Sequence, residues 1–311
     1  MDRHVFSGMK AAIDIGTNTV LLLIAEVIGG TIHVRHQEQR IPRLGKGVDA
    51  NGRINSAATN RVIEALKEYK ELLMNDFPIV ERVVVTATSA VRDAKNREAF
   101  LKQVNDETGF QIRLLSGKEE AEWTAAGALS MLKKEYTADA FILDIGGGST
   151  EVAIINNGEL EDAHSFDMGS VRFTERFLKN DPPHSNEIEA CRMEIRNLFE
   201  SHSLKISSNT HAVGVAGTLI TLAGIILNSN TFEPAAINNY EISLEDLKKT
   251  IQIFSTKKHE ELLKIAPNLL QGREDIFLAG LLILEGCMTF YGFDQMVVST
   301  GGIRNGAILN A

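Results

Sequence analysis

The hydrophobic and polar positions of the chain form strand-like runs and helix-like periods that follow one another in a regular order. Three apolar or alternating runs at the start predict successive strands over residues 11–14, 20–27 and 31–38. Apolar residues at helical spacing over 55–74 predict a helix capped by Asn55 or Ser56. A β-branched run over 82–86 predicts a buried parallel strand. The pattern continues with a predicted helix over 96–108 and a strand over 111–115.

The same order restarts after a helix predicted over residues 117–134. The remaining predicted elements are strands at 140–144, 150–155 and 160–166, helices at 170–178 and 185–199, a strand at 211–215, helices at 217–227, 244–254, 258–265 and 273–291, a strand at 295–299 and a last helix at 303–309. The chain therefore reads as one α/β half that occurs twice, with extra helices in the second half. We expect domain I to comprise residues 1–124 plus 300–311, and domain II residues 125–299.

Composition and charge narrow the class of protein. A chain of 311 residues with 44% hydrophobic content is long enough for two domains with ordinary cores. The net charge of -9 argues against nucleic-acid and membrane-surface partners, which need a basic surface. A polyanionic substrate would then require local amide donors, a few arginines or a bound cation.

The cysteines and the apolar runs indicate the compartment. Cys191 and Cys287 lie far apart without a CxxC motif, which predicts two buried thiols in a reducing compartment and neither a disulfide nor a zinc site. The first ten residues lack an apolar signal core, and no apolar run approaches the length of a membrane span. We expect a cytoplasmic protein.

A carboxylate followed by a small polar turn ends the first strand of each half. The two copies read IDIGTNT from Ile13 and LDIGGGST from Leu143. Such hairpin turns present backbone amides to phosphate oxygens, and Asp14 and Asp144 could hold Mg²⁺. Hydroxyl groups in the turns could add further donors, at Thr17, Thr19, Ser149 and Thr150. One copy could be a plain glycine turn with a solvated Asp, but two copies in equivalent places favour a pair of turns that face each other across a cleft and hold a phosphate chain.

The second copy of the turn motif, LDIGGGST, is the more specific indication of a ligand site. Gly146, Gly147 and Gly148 in succession weaken a strand and indicate that a ligand approaches the backbone closely. Glu151 lies just beyond, where its carboxylate could join the metal or position a water molecule.

The segment Ser116-Gly117-Lys118-Glu119-Glu120 opens the central helix. A capping box with Ser116 explains Glu119. Glu120 points about 100° away around the helix and is less needed for capping. It is our hypothesis for the general base on water, although spacing alone leaves the choice between Glu119 and Glu120 open.

Three further segments end predicted strands with small or glycine residues. Arg92, after the strand over 82–86, offers a forked donor for phosphate, with a solvated surface arginine as the alternative. The turns at Gly217-Thr218 and Gly301-Gly302 precede helices and could present amides to phosphate, though each alone is a weak signal. The sequence contains no P-loop, dinucleotide fingerprint, HExxH or GxSxG motif.

Six motifs in order resemble those of the exopolyphosphatase / guanosine pentaphosphate phosphohydrolase (Ppx/GppA) family. They are IDIGTNT (13–19), TSAVR (88–92), SGKEEA (116–121), DIGGGSTE (144–151), GVAGT (214–218) and GGIR (301–304). The resemblance implies an α/β fold of two ribonuclease-H-like (actin-like ATPase) domains facing across a cleft. It also implies Mg²⁺- or Mn²⁺-dependent release of orthophosphate from a terminal phosphoanhydride.

The resemblance further implies the roles of individual residues. Glu120 would be the base on the attacking water, and Glu151 would position water and metal, with Asp14 and Asp144 as further metal ligands. The phosphate-binding residues would be Thr17, Asn18, Thr19, Arg92, Gly146, Gly147, Gly148, Ser149, Gly217 and Thr218. At position 216 the motif has Ala where Ser is expected. Longer members carry extra C-terminal domains after the last motif, so we leave processivity on long polymers open.

Several alternatives stay open at this point. The substrate could be polyphosphate or guanosine pentaphosphate (pppGpp). A nucleotide-binding actin-like sensor with little turnover would not need a cleft-facing carboxylate base. A kinase would need an acceptor site with a catalytic Asp, for which no clear residue is present. Apolar residues over 277–284 leave a homodimer possible.

Overall fold

The computed structural model describes residues 6–207, 209–229 and 231–311, so residues 1–5 of the segment checked for a signal core lie outside it. In chain order the helices and strands are β1 (Phe6–Ile15), β2 (Val20–Ile28), β3 (Thr31–Arg40), α1 (Val48–Asn51), α2 (Ser56–Asn75), β4 (Val80–Ala87), α3 (Ser89–Arg92), α4 (Arg97–Thr108), β5 (Ile112–Leu114), α5 (Gly117–Leu129), a 3-10 turn (Lys134–Tyr136), β6 (Ala140–Ile145), β7 (Thr150–Asn156), β8 (Glu159–Phe166), α6 (Ser170–Phe177), α7 (Ser185–Ser201), β9 (His211–Val215), α8 (Ala216–Ile226), α9 (Pro234–Ile237), β10 (Glu241–Ser243), α10 (Leu244–Phe254), α11 (His259–Ile265), α12 (Pro267–Leu270), α13 (Phe277–Tyr291), β11 (Gln295–Val298) and α14 (Ile303–Leu309).

The chain divides into two compact units. Unit 1 consists of two segments, the chain up to Ser130 and the segment Gly301–Ala311. Unit 2 is Met131–Thr300. The sequence placed the first division at 124/125, inside α5, whereas the structure leaves α5 whole in unit 1. The helix also ends at Leu129 and not at residue 134, because Ser130 and the segment after it turn away into a 3-10 turn.

Unit 1 contains the predicted run of strands. Its sheet has the order β3-β2-β1-β4-β5, with β1, β2 and β3 antiparallel and β4 and β5 parallel to β1. Helices α2 and α4 pack their apolar faces on one side of it. Asn55 caps α2 by accepting a hydrogen bond from the backbone N–H of Ala58 at 2.8 Å. Strand β4 is buried only in its second half, and Val83 is 36% exposed, so the prediction of a buried strand is wrong for the first half.

Unit 2 repeats this arrangement. Its sheet has the order β10-β11-β9-β6-β7-β8, so β8, β7, β6, β9 and β11 stand in the places of the five strands of unit 1. The directions agree as well, since β6, β7 and β8 are antiparallel while β9 and β11 run parallel to β6. Strand β10 is added at the edge. The predicted duplication of one α/β half is confirmed.

Helix α13 is the centre of the unit 2 core. It begins at Phe277 and not at residue 273, and each of its residues 277–284 is buried. The suggestion of a dimer surface on these residues is therefore wrong, because unit 2 itself covers them. Cys191 and Cys287 are both buried free thiols, as predicted. Among the described helices, none combines the length and apolarity that a bilayer span requires.

Two glycines let α5 and α14 approach each other backbone to backbone in unit 1. A Cβ on Gly127 would lie 1.9 Å from the carbonyl oxygen of Gly302. A Cβ on Gly306 would lie 1.9 Å from the carbonyl oxygen of Trp123. Neither neighbour is a flexible side chain that could move aside, so only glycine fits at these two positions.

We expect Gly127→Ala to lower the free energy of unfolding by about 1–3 kcal/mol, because the added methyl group overpacks a backbone contact. The matched control is Gly302→Ala. Gly302 has extended backbone angles (φ 178) and open space around its Cβ position, so this variant should unfold like the wild type. Urea unfolding of the three proteins checks the prediction, which fails if both alanine variants are equally stable.

Candidate active site

The two acidic turns close in the same way. Gly16 N–H donates to the carbonyl of Thr19 at 2.9 Å in the β1–β2 turn. Gly146 N–H donates to the carbonyl of Ser149 at 3.0 Å in the β6–β7 turn. Both are four-residue hairpin turns directly after the strand that carries the Asp. The predicted hairpins are confirmed, one in each unit.

The carbonyl groups of the second turn are held by the first residues of α6. Ser170 N–H donates to Gly146 O at 2.9 Å, Val171 N–H to Gly147 O at 2.8 Å, and Arg172 Nε to Gly148 O at 2.6 Å. In a planar trans peptide the carbonyl of one residue and the N–H of the next point in opposite directions. The amides of Gly147, Gly148 and Ser149 therefore point away from α6, as a row of donors suited to an anion.

The first turn is held in a similar way by the segment 43–45. Arg43 N–H donates to Asn18 O at 3.0 Å and Gly45 N–H donates to Thr17 O at 2.8 Å. By the same peptide geometry, the amides of Asn18 and Thr19 point away from this segment. The side chain of Thr17 packs against Gly45, where a Cβ would lie 2.2 Å from its methyl group. The Thr17 side chain is therefore buried against the supporting segment.

Sequence reasoning missed the support of the second turn. A Cβ on Gly169 would lie 2.5 Å from the carbonyl group of Gly147, so no side chain fits there although the backbone of Gly169 is extended (φ -162). Arg172 was missed as well. The signal was a Gly-Ser pair before the helix that follows the third strand, but a single pair of this kind is too common to be specific.

Asp14 is a buried carboxylate in unit 1. It is 8% exposed and its Oδ1 accepts a hydrogen bond from Thr86 Oγ1 at 3.0 Å. Burial raises its pKa to about 6, against the opposing effects of the Thr86 hydrogen bond and the positive charge of Arg304. A carboxylate kept in a desolvated position is costly for folding and is typical of a functional site.

The raised pKa of Asp14 predicts how stability depends on pH without a divalent cation. The folded state keeps this proton up to about pH 6, whereas the unfolded state releases it near pH 3.8. Relative to Asp14→Asn, the wild-type protein should therefore lose about 3 kcal/mol of unfolding free energy between about pH 4 and pH 7. Urea unfolding at a series of pH values in EDTA measures this difference. A difference that stays constant with pH would contradict the assignment.

Asp144, Glu151 and Ser165 form one cross-strand row in unit 2. Asp144 pairs with Glu151 between β6 and β7, and Glu151 pairs with Ser165 between β7 and β8. Directly paired residues have side chains on the same face of a sheet, with Cβ atoms about 5 Å apart. Glu151 is 2% exposed, and its Oε1 accepts a hydrogen bond from Ser165 Oγ at 2.6 Å. Two adjacent carboxylates repel each other unless a cation or a proton lies between them.

The corresponding row of unit 1 has one carboxylate only. Asp14 pairs there with Leu21 and with Thr86, so Leu21 occupies the place of Glu151. The two turns are thus alike in backbone but not in charge. The predicted donor role of Thr150 is wrong, because its hydroxyl donates to the carbonyl of Met168 at 2.8 Å and is fully buried.

The carboxylates of each unit by itself match part of the ligand set that a magnesium ion uses. Within the described residues, no group of three or more His, Cys, Asp or Glu side chains is arranged to hold a metal ion. Mg²⁺ rarely uses such an all-protein cage, and it is usually bound by one or two carboxylates, water and substrate phosphates. The pair Asp144 and Glu151, and the single Asp14, match that smaller ligand set.

Glu119 and Glu120 have different surroundings. Glu119 Oε2 accepts hydrogen bonds from the N–H of Ser116 at 3.0 Å and its hydroxyl at 2.8 Å, and Oε1 accepts one from Arg113 at 2.8 Å. These bonds, led by the backbone bond from Ser116, lower the pKa of Glu119 to about 2. Its capping-box role is confirmed. Glu120 is 7% exposed and lies beside Arg92.

Arg92 contacts the Glu120 carboxylate directly. Its Nη1 donates to Glu120 Oε2 at 2.8 Å and to the carbonyl of Leu115 at 3.2 Å. The alternative of a solvated surface arginine is wrong, since the Arg92 side chain is only 22% exposed. Phosphate binding by Arg92 stays a prediction, and the structure adds that this arginine orients Glu120.

The Gly217-Thr218 turn opens α8, after β9. Arg273 Nη1 donates to Gly217 O at 3.3 Å and to Thr221 Oγ1 at 3.1 Å. Burial lowers the pKa of the Arg273 guanidinium from its usual value. Ala216 has φ 67, a conformation that costs a non-glycine residue about 1–2 kcal/mol. The surrounding structure therefore holds this turn in place. Like Arg172, Arg273 is an arginine that the sequence did not indicate as part of the site.

Comparison with known proteins finds similar sequences over most of the chain. Residues 23–311 match the model of the Ppx/GppA phosphatase family. The chain is 35% identical to Exopolyphosphatase 2 of Mycobacterium tuberculosis, over 96% of this chain and 97% of that protein. It is 28% identical to the guanosine-5'-triphosphate,3'-diphosphate pyrophosphatase of Pseudoalteromonas translucida, over 96% of this chain and 58% of that protein.

Solved structures extend the likeness to the whole fold. A Ppx/GppA family member from Aquifex aeolicus superposes with a TM-score of 0.81 at 29% identity and covers 97% of this chain and 96% of its own. An exopolyphosphatase-like protein superposes with a TM-score of 0.89 at 27% identity, over 97% of each chain. Together with the repeated strand order, these matches support the predicted actin-like ATPase fold.

Proposed function

Because the chain belongs to the Ppx/GppA phosphatase family, we propose that it releases terminal orthophosphate from inorganic polyphosphate. The family comprises phosphoanhydride hydrolases, and the chain is an enzyme of this kind. The observation that carries the choice of substrate class is the row of outward amides at Gly147, Gly148 and Ser149 next to the paired carboxylates Asp144 and Glu151. Amides with neighbouring carboxylates suit a phosphate chain and its cation.

The proposed phosphate-binding groups are mostly backbone amides. They belong to Thr17, Asn18, Thr19, Gly147, Gly148, Ser149, Gly217 and Thr218, with Arg92 as a side-chain donor. The sequence also predicted Gly146, but its N–H donates to the carbonyl of Ser149 and closes the turn, so its amide is not a phosphate donor. Backbone amides contact phosphate oxygens, and they do not distinguish one phosphoryl group of a chain from the next. This composition favours a simple polymer of phosphate over a substrate recognised by its nucleoside.

The proposed cation ligands are Asp14, Asp144 and Glu151. Mg²⁺ or Mn²⁺ bound there with the substrate would neutralise charge on the phosphate oxygens. The protein itself contributes the fixed carboxylate positions, through Thr86 at Asp14 and Ser165 at Glu151. That the turns of the two units serve one substrate chain is a prediction of the sequence.

Glu120 is the proposed general base. A water oxygen attacks the terminal phosphorus and passes one proton to the Glu120 carboxylate. The bond between that phosphorus and the bridging oxygen breaks, and its electron pair leaves on the shortened chain. Arg92 keeps the carboxylate in one orientation through the 2.8 Å hydrogen bond. Such a reaction depends mainly on positioning and charge neutralisation.

A phosphate-release assay with polyphosphates of graded length, pppGpp and ATP, each with and without Mg²⁺, tests the proposal. We expect release from polyphosphate that requires the cation and exceeds release from ATP. Faster release from pppGpp would favour the second candidate, a pppGpp 5'-phosphohydrolase, which the likeness to the pyrophosphatase of Pseudoalteromonas translucida supports. Tight binding without release would instead indicate a nucleotide sensor.

A further inference from the structure

One residue of α6 holds two successive carbonyl groups of the triple glycine turn in unit 2. The carbonyl of Gly147 accepts hydrogen bonds from the backbone N–H of Val171 at 2.8 Å and of Arg172 at 3.0 Å. The carbonyl of Gly148 accepts a hydrogen bond from Nε of the Arg172 side chain at 2.6 Å. The backbone of α6 thus orients the peptide between Gly147 and Gly148, whereas a side chain orients the peptide between Gly148 and Ser149.

The start of α6 is shaped to lie against this turn. A Cβ on Gly169 would lie 2.5 Å from the carbonyl group of Gly147 and 2.6 Å from the backbone nitrogen of Gly148. The backbone of Gly169 is extended (φ -162), so its conformation by itself does not require glycine. Glycine is needed there because the two segments touch backbone to backbone, and this close approach brings the Arg172 side chain within reach of Gly148 O.

The helix itself gains nothing from an arginine at this position. Arg172 is in the first turn of α6, and that turn carries no acidic residue. The positive end of the helix dipole lies at the N-terminus, where a basic side chain is unfavourable and a carboxylate is preferred. Residues that contradict a local preference are expected at functional sites. The hydrogen bond from Nε to Gly148 O gives this arginine such a function.

We propose, on the basis of the proposed function, that Arg172 is a positioning residue that keeps the N–H of Ser149 directed at a substrate phosphate. The C=O and the following N–H of a planar peptide point in opposite directions, so holding Gly148 O toward Arg172 holds Ser149 N–H away from it. The glycine on one side of this peptide gives it freedom to rotate. Rotation would turn a carbonyl oxygen toward the phosphate and remove one amide donor.

Three substitutions separate the hydrogen bond of Arg172 from its charge. Nε of arginine and the amide nitrogen of glutamine lie the same number of bonds from Cα, so Arg172→Gln keeps a donor in place without the charge. Arg172→Lys keeps the charge but carries its nitrogen further out, and Arg172→Met removes both. Arg196→Met is the matched control, because the Arg196 side chain in unit 2 is 76% exposed and pairs with Glu200.

Binding of inorganic phosphate, followed by the NMR shift of the Ser149 amide, tests the positioning without hydrolysis. We expect Arg172→Met and Arg172→Lys to raise Kd for phosphate about tenfold, the effect of one hydrogen bond, while Arg172→Gln and Arg196→Met stay within about threefold of the wild type.

The outcomes of the phosphate titration separate this proposal from the proposed function. Wild-type binding by Arg172→Met, or strong binding by Arg172→Lys with weak binding by Arg172→Gln, would overturn the role of the hydrogen bond. An unresponsive Ser149 amide in the wild type would overturn it as well. A wild-type protein that binds phosphate at this amide but releases none from polyphosphate would contradict the proposed function alone.

Kinetics distinguish positioning from stability. For Arg172→Met we expect kcat for phosphate release from polyphosphate to fall by about tenfold with little change in melting temperature, since small displacements of groups around the reacting atoms are costly. Arg172→Gln should recover most of the lost rate because it keeps the donor, and Arg172→Lys should not. A lower melting temperature of Arg172→Met with unchanged kcat would overturn the proposal.

Discussion

Glu120→Gln should lower kcat for phosphate release by about 10²–10⁴-fold, the usual contribution of a general base. Glutamine has the shape of glutamate and still accepts the hydrogen bond from Arg92, so the site should keep its geometry. It cannot take a proton from water, so the loss should appear in kcat with little change in KM. Steady-state phosphate release from polyphosphate under saturating Mg²⁺ measures it.

Glu119→Gln is the matched control for this prediction. Glu119 completes the capping box and accepts from Arg113, so its replacement should cost about 0.5–2 kcal/mol of stability and leave kcat unchanged. The stability that its ionised form supplies is present above about pH 4.5 and is lost as the pH falls toward 2. A loss of activity in Glu119→Gln alone would indicate that Glu119 is the general base. Full activity in Glu120→Gln would contradict the assignment of Glu120 as the base.

Glu151→Gln should lower kcat by about 10²–10³-fold, comparable to the loss of one group that stabilises transition-state charge. The variant keeps the volume of Glu151 and its hydrogen bond from Ser165, but it removes one of two adjacent negative charges in the cross-strand row. The Mg²⁺ concentration needed for half-maximal rate should rise as well. A magnesium titration of phosphate release measures both effects.

Ser165→Ala separates the charge of Glu151 from its orientation. This variant keeps both carboxylates and removes only the 2.6 Å hydrogen bond to Glu151 Oε1. The loss of such a supporting contact typically weakens metal binding by about 10–100-fold, so we expect a shift in the magnesium requirement with a smaller fall in kcat. If Glu151→Gln had no effect on the magnesium requirement, Glu151 would not be a cation ligand.

Local features of this protein followed directly from its sequence. Turn residues, caps and alternating apolar positions act over a few residues, so they predicted the two hairpins, the Asn55 cap and the capping box at Ser116. The duplication was visible because equivalent turns need the same residue types. Element ends were less certain, as the early end of α5 and the later start of α13 show.

Contacts between residues distant in sequence required the tertiary structure. Arg92 and Glu120 are 28 positions apart, and no local pattern indicated that they would form an ion pair. The same holds for α6 on the carbonyl groups of the triple glycine turn and for Arg273 at Gly217. Each depends on how separate elements pack, and packing is decided by all the apolar surface of a unit together.

By itself, then, the sequence determined the chemical groups and the local structure that carries each of them. It showed which turns carry a carboxylate, which order of strands and helices repeats along the chain, and which helix begins with two glutamates. Only the tertiary structure decided which of these groups become neighbours. Strand register placed Asp144 beside Glu151 and left Leu21 at the corresponding place beside Asp14. The physical reason is that local backbone preferences act over a few residues, whereas a shift of one residue in register exchanges the two faces of a strand.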